Sequence, residues 1–367
     1  VYQQEWSYAE FVIKNREGYY MRKKFLWLLM FVFSISCAQK QELVKKERFF
    51  WPPPPNDPKV EFIGVYRGNR DMPKKFSFIR QITGETEPEI KLRKPLHITS
   101  DGEGLVVVTD LIPYGGLVFD FNENKVELIT SEPTFQFATG VVFDKERLYV
   151  ADGKAGNIKV FTKKDRKPLY TIGDGELQSP NGLAINEDLR RLYVVDTKAY
   201  KVFVYDIDTK KLLFSFGKPG DQEGEFNRPW GVCIDKKGDV YISDGLNARI
   251  QIFDKDGKFI TMFGKRGDKP GGFAQVKGVG IDSDNNIYVI DPLKAIQVFN
   301  REGQLLGLVG APGTKGIGAM SLPMGLYIDK NDRIYVVDQM NRRFQVFQYM
   351  NEDYKKKNPV DFSEKTK

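Results

Sequence analysis

One motif recurs about every 47 residues, and nothing else in the sequence restricts the fold as strongly. The clearest copies are "SPNGLAINEDLRRLYVVDTKAYKVFVYD", "RPWGVCIDKKGDVYISDGLNARIQIFD", "VKGVGIDSDNNIYVIDPLKAIQVFN" and "LPMGLYIDKNDRIYVVDQMNRRFQVFQ". An earlier copy is "FATGVVFDKERLYVADGKAGNIKVFT", and the most degenerate is "KPLHITSDGEGLVVVTDLIPYGGLVFDF". Gly140, Gly182, Gly231, Gly278 and Gly325 mark the register at spacings of 42, 49, 47 and 47. Asp110, Asp152, Asp196, Asp244, Asp291 and Asp338 mark it a second time and give six units. A period of this length signals a repeat architecture.

Each unit parses into four short strands. In the Gly231 copy, "GVCID" is a short apolar strand and "KKGD" a turn of Asp, Lys and Gly. "VYISD", "RIQIFD" and "KFITMFG" then read as three further strands. Four antiparallel strands of this length make one propeller blade. A single blade cannot bury both faces, so blades stack around an axis. The last unit supplies only three strands before the charged "NEDYKKKNPVDFSEKTK". "KVEFIGVYRG" (residues 59–68) alternates apolar and polar residues and stands apart from its neighbours. It is expected to add the outer strand to the last blade and close the ring. The expected fold is therefore all-β: a six-bladed propeller of four-stranded antiparallel blades over 59–350, with a charged tail at 351–367. A short helix is expected near Phe76–Ile82.

The pattern Pro-x-Gly-apolar-x-Ile-Asp, then Tyr-Val-x-Asp, then Asn-x-Arg-apolar-Gln-Val-Phe resembles the NHL repeat. The resemblance covers residues 94 to 349. It implies a six-bladed propeller and leaves function open, because the fold serves binding proteins and enzymes alike.

The beginning of the chain carries a different signal. "MRKKFLWLLMFVFSISCAQK" (21–40) has a basic cluster, Arg22 to Lys24, then an uncharged run of eleven residues, then small residues before Cys37. A bilayer span needs about 20 apolar residues. The order basic, apolar, small suits a secretory signal. Ending on cysteine, it resembles a bacterial lipoprotein signal, which implies lipidation at Cys37, although Ser34 stands where that family carries Leu. Ordinary secretion and a buried or spanning helix are the alternatives. Residues 1–20 read as an upstream extension with Met21 as the initiator, or as a further polar segment. Residues 21–36 are then the signal, and 37–58, with "PPPP" at 52–55, a Pro-rich tether that favours extended polyproline II. This reading places the protein outside the cytoplasm as a membrane-anchored lipoprotein of the cell envelope. Ala38 after the cysteine favours the outer membrane.

Beyond residue 36 the chain has 51 basic and 46 acidic residues, interleaved, for a net charge of +5. That is a solvated surface and not a nucleic-acid patch. Two cysteines exclude a disulfide-stapled fold. Cys233, in "GVCID", reads as a small core residue.

The single histidine, His97, excludes a multi-histidine zinc site of the kind that the peptidyl-hydroxyglycine lyases, which some NHL-type propellers resemble, would require. Lactonase-like propellers bind a divalent cation with Glu, Asn and Asp at the channel mouth. Asn181 stands where such a ligand could, but the matching slots hold Leu96, Thr139, Trp230, Lys277 and Met324. The recurring aspartates fall before turns, where they accept backbone hydrogen bonds. No phosphate-cradling loop or haem motif is present, so no cofactor is expected. Binding is expected on the ring face where blade-to-blade loops meet the turns between strands two and three. The loops contribute Asn181, Arg228, Trp230, Lys277 and Met324. The turns contribute Lys198, Tyr200, Asn247, Lys294, Asn341 and Arg343, with Met340 beside them. The expectation is a monomeric, non-enzymatic binding or scaffold module for an envelope protein or a small or anionic ligand. A lactonase-like hydrolase with a metal at the channel mouth is the alternative.

Overall fold

The computed structural model describes residues 47–73, 88–112, 115–129 and 135–360. The expected extension, signal, Cys37, the helix near Phe76 and the end of the tail lie outside these residues. No described helix is long and apolar enough to cross a membrane.

Six four-stranded antiparallel blades follow one another along the chain. Blade one holds Pro95–Ser100, Leu105–Asp110, Gly115–Asp120 and Lys125–Leu128, and blade two Ala138–Phe143, Arg147–Asp152, Asn157–Thr162 and Pro168–Ile172. Blade three runs from Pro180–Asn186 to Leu212–Phe216, blade four from Pro229–Ile234 to Phe259–Phe263, and blade five from Val279–Ile281 to Leu305–Val309. Blade six contributes Pro323–Ile328, Arg333–Asp338 and Arg343–Tyr349. Its fourth strand is Val60–Tyr66, paired antiparallel with Arg343–Tyr349 from Val60↔Tyr349 to Tyr66↔Phe344. The ring thus closes with an amino-terminal strand, as the missing strand of the last repeat requires.

The alternation along each strand explains the stacking. Side chains leave a strand to both faces. In blade three Tyr193 and Val195 turn to one face and pack on Val240 and Ile242 of blade four, while Leu192 and Val194 turn to the other and pack on Tyr149 and Ala151 of blade two. Each such fully buried side chain is worth about 1.5–3 kcal/mol.

Both sets of recurring aspartates hold turns, as their positions suggest. At the end of the first strand, Asp235 Oδ1 accepts from the backbone N–H of Lys237 and Asp239, each at 2.9 Å. Its other oxygen accepts from the Tyr241 hydroxyl at 3.1 Å, and Asp144–Tyr149, Asp282–Tyr288 and Asp329–Tyr335 repeat the bond. At the end of the second strand, Asp196 accepts from the N–H of Gln178 and Ser179 in the incoming loop and of Lys198 and Ala199 in its own turn. That carboxylate ties the loop entering a blade to the blade's own turn.

Part of the stretch expected as a tether is built into the propeller. Phe50–Trp51 pairs with the closing strand as a fifth strand of blade six. Arg48 makes a two-pronged contact with the buried carboxylate of Glu61, at 2.7 Å to each oxygen. Glu61 also accepts from Tyr354 Oη at 3.1 Å, in the short helix Glu352–Lys357 that opens the charged tail. Arg48 donates as well to the carbonyls of Asn358 and Pro359. The segments before and after the ring are therefore fastened to the same closing strand.

Candidate binding site at the loop face

The six inner strands line a channel, and the recurring glycine sits where neighbouring inner strands come closest. A Cβ on Gly140 would lie 1.8 Å from the Asn181 carbonyl oxygen, and one on Gly182 would lie 2.6 Å from that of Trp230. Blade one alone places a side chain there, that of His97, and the channel is built around it.

His97 Nε2 lies 3.1 Å from Asn181 Oδ1, and its ring stacks on Trp230 with centroids 5.8 Å apart at 16°. Lys277 Nζ stands 3.7 Å from the Trp230 ring centroid, a close cation–π contact. Burial lowers the imidazole to about 4; the Asn181 bond opposes this and the Lys277 charge adds to it. The ring is therefore neutral at pH 7 and donates through Nε2. Burial also lowers Lys277 to about 8, helped by the charge of Arg228. Two donors of this cluster, Asn181 Nδ2 and Trp230 Nε1, are buried without an acceptor. Buried donors normally find one.

Below the cluster the channel forms a cavity of about 640 Å³. Its wall is apolar, with Val141, Leu183, Val232, Val279 and Leu326 among its residues, and His97 bounds it toward the loop face. It opens among the turns of the opposite face, where Asp101, Glu103, Lys145, Glu187 and Lys330 line it. Cys233 faces this cavity, and burial pushes its thiol well up.

Both ring faces carry paired and unpaired cations. On the opposite face four cations have carboxylate partners in other blades, Lys163–Asp101 at 2.9 Å, Lys330–Glu103 at 2.6 Å, Arg191–Asp256 at 2.8 Å and Arg301–Asp239 at 2.7 Å, while exposed Lys145, Lys236 and Lys237 have no ion pair among the described residues. On the loop face Lys154, Lys198, Arg228, Lys277 and Arg342 have no ion pair among the described residues.

The second residue after each strand-two aspartate tips the loop face, and its identity changes around the ring. Blades four, five, six and one carry Leu246, Leu293, Met340 and Ile112, which are 40%, 68%, 64% and 53% exposed. Blades two and three carry exposed Lys154 and Lys198. An apolar arc thus covers four adjacent blades and a basic one covers two.

The expected site residues fall into two groups. Asn181, Trp230 and Lys277 meet at the channel mouth with His97. Arg228 and Lys198 are exposed on the same face, Tyr200 is half-buried in the turn beside Lys198, and Met324 is buried in its slot. The others are held inside the turns. Arg343 is buried, with Nε 2.7 Å from Asp338 and Nη2 on the Ala319 carbonyl. Asn341 donates to Asp338 and the Gly313 carbonyl, and Asn247 to Asp244 and the Gly220 carbonyl. Lys294 donates to the Gly267 and Gly272 carbonyls. His97 lines the channel, as a packed or channel-lining residue is expected to; sequence reading missed its contacts with Asn181 and Trp230, and the apolar arc. The arc was signalled by the second position after each aspartate.

The mouth does not suit a divalent cation. Oxygen-rich sets hold calcium or magnesium. Here the His97 ring that meets Asn181 lies within the field of the Lys277 ammonium, and no three His, Cys, Asp or Glu side chains gather among the described residues.

Comparison with known proteins supports the same architecture. Residues 163–264 match the SMP-30/Gluconolactonase/LRE-like region, and residues 223–312 match a family described as a 6-bladed beta-propeller. The B-box type zinc finger protein ncl-1 of Caenorhabditis elegans is 42% identical over 135 residues, 36% of this chain and 15% of that protein. The chain thus spans a small part of the curated relatives it matches. Among solved structures, an auxiliary nutrient binding protein from Bacteroides thetaiotaomicron superposes with a TM-score of 0.56 at 14% identity, over 71% of this chain and 70% of that one. A virginiamycin B lyase from Staphylococcus aureus gives 0.51 at 14% identity, over 70% and 95%. At these identities the likeness is one of fold.

Proposed function

We propose that this protein is a non-enzymatic binding propeller built of NHL-type repeats, which takes a protein partner or an anionic ligand on its loop face. The loop face carries this reading: Lys154, Lys198, Arg228 and Lys277 have no ion pair among the described residues and share that face with exposed Leu246, Leu293, Met340 and Ile112. Exposed apolar anchors with unmatched charge beside them are the ingredients of a recognition surface. The signal-like segment before Cys37 adds an address, a lipid-anchored position in the cell envelope, probed by metabolic labelling with a fatty acid and its loss in Cys37→Ser.

The test is crosslinking of the protein, expressed from Met21 in its own membranes, followed by mass spectrometry. Crosslinks from one dominant partner should map to Lys154, Lys198 and Lys277, and Arg228→Glu should weaken them with folding intact. Crosslinks confined to the opposite face would overturn the reading.

A propeller hydrolase is the second reading, favoured by the match of residues 163–264 to the gluconolactonase-like region and by Asn181 at the mouth. Calcium-dependent lactone hydrolysis that disappears in Asn181→Ala would establish it.

A further inference from the structure

We infer that the loop face receives an acidic polypeptide segment, one carboxylate of which enters the channel mouth while flanking apolar side chains lie along the arc of blades four to one. This deepens the binding reading above and rests on it.

Three observations on different residues point the same way. Asn181 Nδ2 and Trp230 Nε1 are donors without acceptors, and Asn181 is 4% exposed. They call for a discrete acceptor, inserted below the level of the turns. Lys277 has no anionic partner among the described residues, lies on the indole face and is within the field of Arg228, so a carboxylate there would restore its charge balance. The residues at the turn tips are aliphatic: Leu246, Leu293, Met340 and Ile112.

Each observation weighs against another class of partner. A planar bilayer reaches exposed tips but does not deliver an acceptor to a recessed amide. A nucleic acid supplies anions but favours aromatic stacking platforms and continuous basic tracks, where this arc offers aliphatic carbon over four blades. A polypeptide with Asp or Glu between aliphatic residues satisfies all three.

The test uses the full chain carrying Cys37→Ser and a random twelve-residue peptide library displayed on phage. Selected peptides are expected to be enriched in Asp or Glu beside Leu, Ile or Met. Synthetic copies should bind Lys277→Met at least tenfold more weakly, and their Glu→Gln versions should bind the unsubstituted protein equally weakly. Raising the pH from 7 to 9 should weaken binding to the unsubstituted protein, as Lys277 loses its charge, and leave Lys277→Met unaffected. The Trp230 indole N–H resonance, assigned with Trp230→Phe, should move downfield on binding.

Peptides that need Leu293 and Met340 (tested with Leu293→Asp/Met340→Asp) but carry no carboxylate would overturn this inference and leave the binding reading standing. Peptides indifferent to both changes, or no selected peptide, would overturn both. Binding of phosphatidylcholine vesicles containing a third phosphatidylglycerol, without acidic peptides, would assign the face to a membrane instead.

Discussion

His97 is the single histidine of the chain, so a histidine-dependent change of stability with pH has one source. Burial holds its imidazole at about 4, against an ordinary 6.5, with the Asn181 bond opposing and Lys277 assisting. Between those values the unfolded chain binds a proton that the folded chain refuses. The stabilisation is therefore complete above about pH 6.5 and is lost as the pH falls toward 4. The linkage relation gives a loss of about 1.4 kcal/mol at pH 5.5 and about 2.5 kcal/mol at pH 4.5. The ring keeps part of its surface toward the channel, so these figures are upper bounds. Other groups titrate in the same window. Burial raises Asp282 to about 6 against its turn hydrogen bonds, which works in the opposite direction. The informative quantity is therefore the difference between the unsubstituted protein and His97→Gln, which keeps a donor for Asn181 and does not titrate. Urea unfolding of both at pH 7.5, 5.5 and 4.5 measures it. His97→Gln should gain on the unsubstituted protein by about 1 kcal/mol at pH 5.5 and about 2 kcal/mol at pH 4.5, just under the linkage values. A difference that stays constant with pH would refute the burial argument for the channel mouth.

Glu61→Gln should destabilise the ring by about 2 kcal/mol, below the usual cost of breaking a buried pair because Arg48 is one-third exposed; urea unfolding measures it, and limited proteolysis should cut near residue 48 earlier. Arg343→Met leaves the Asp338 carboxylate buried without its cation and should cost about 3–5 kcal/mol, whereas Arg228→Glu on the exposed surface should stay within about 0.5 kcal/mol; thermal melts separate the two. Cys233, with its thiol raised by burial in the channel, should react with iodoacetamide at pH 8 far more slowly than a free thiol in a Cys37→Ser background, and at the free rate once the chain is unfolded in urea.

The ring was legible because its determinants repeat. The glycine of five inner strands, the second-strand aspartate of every blade, the first-strand aspartate of five and the strand missing from the last unit all follow from local backbone chemistry, and local chemistry leaves its mark within one repeat. The clasp was not legible. Arg48 and Glu61 are thirteen residues apart across a proline run that reads as a spacer, and Tyr354, which completes the site, lies 293 residues from Glu61. The ion pairs between blades on the opposite face were hidden for the same reason: Arg191 and Asp256 are 65 residues apart, and Arg301 and Asp239 are 62 apart. A charge count over a sequence window cannot see such pairs. Arg343 shows the opposite difficulty. Its aspartate is only five residues away, but the turn between strands two and three folds that short stretch inward, so a residue that reads as an exposed cation becomes an internal strut.

These outcomes separate two kinds of position in a repeat protein. Residues that recur from blade to blade meet a demand that recurs with them: the aspartates hold turns, the glycines of five blades let inner strands meet, and tyrosines cap the first-strand aspartates in four blades. Recognition of a particular partner has no reason to obey the sixfold repeat, so it belongs where the repeat is broken. Two positions break it on the loop face. The slot before the glycine reads Leu96, Thr139, Asn181, Trp230, Lys277 and Met324, and the turn tip reads Ile112, Lys154, Lys198, Leu246, Leu293 and Met340. The two vary together: the blades with polar slots two and three carry lysine tips, and the blades with Trp230, Met324 and Leu96 carry aliphatic ones. Lys277 departs from that pairing, a cation in the apolar half, and it is the cation that sits on Trp230 beside the two unsatisfied donors. A break in the symmetry, a break in the polarity pattern and an unmet hydrogen-bonding demand coincide at one place, the mouth of the channel.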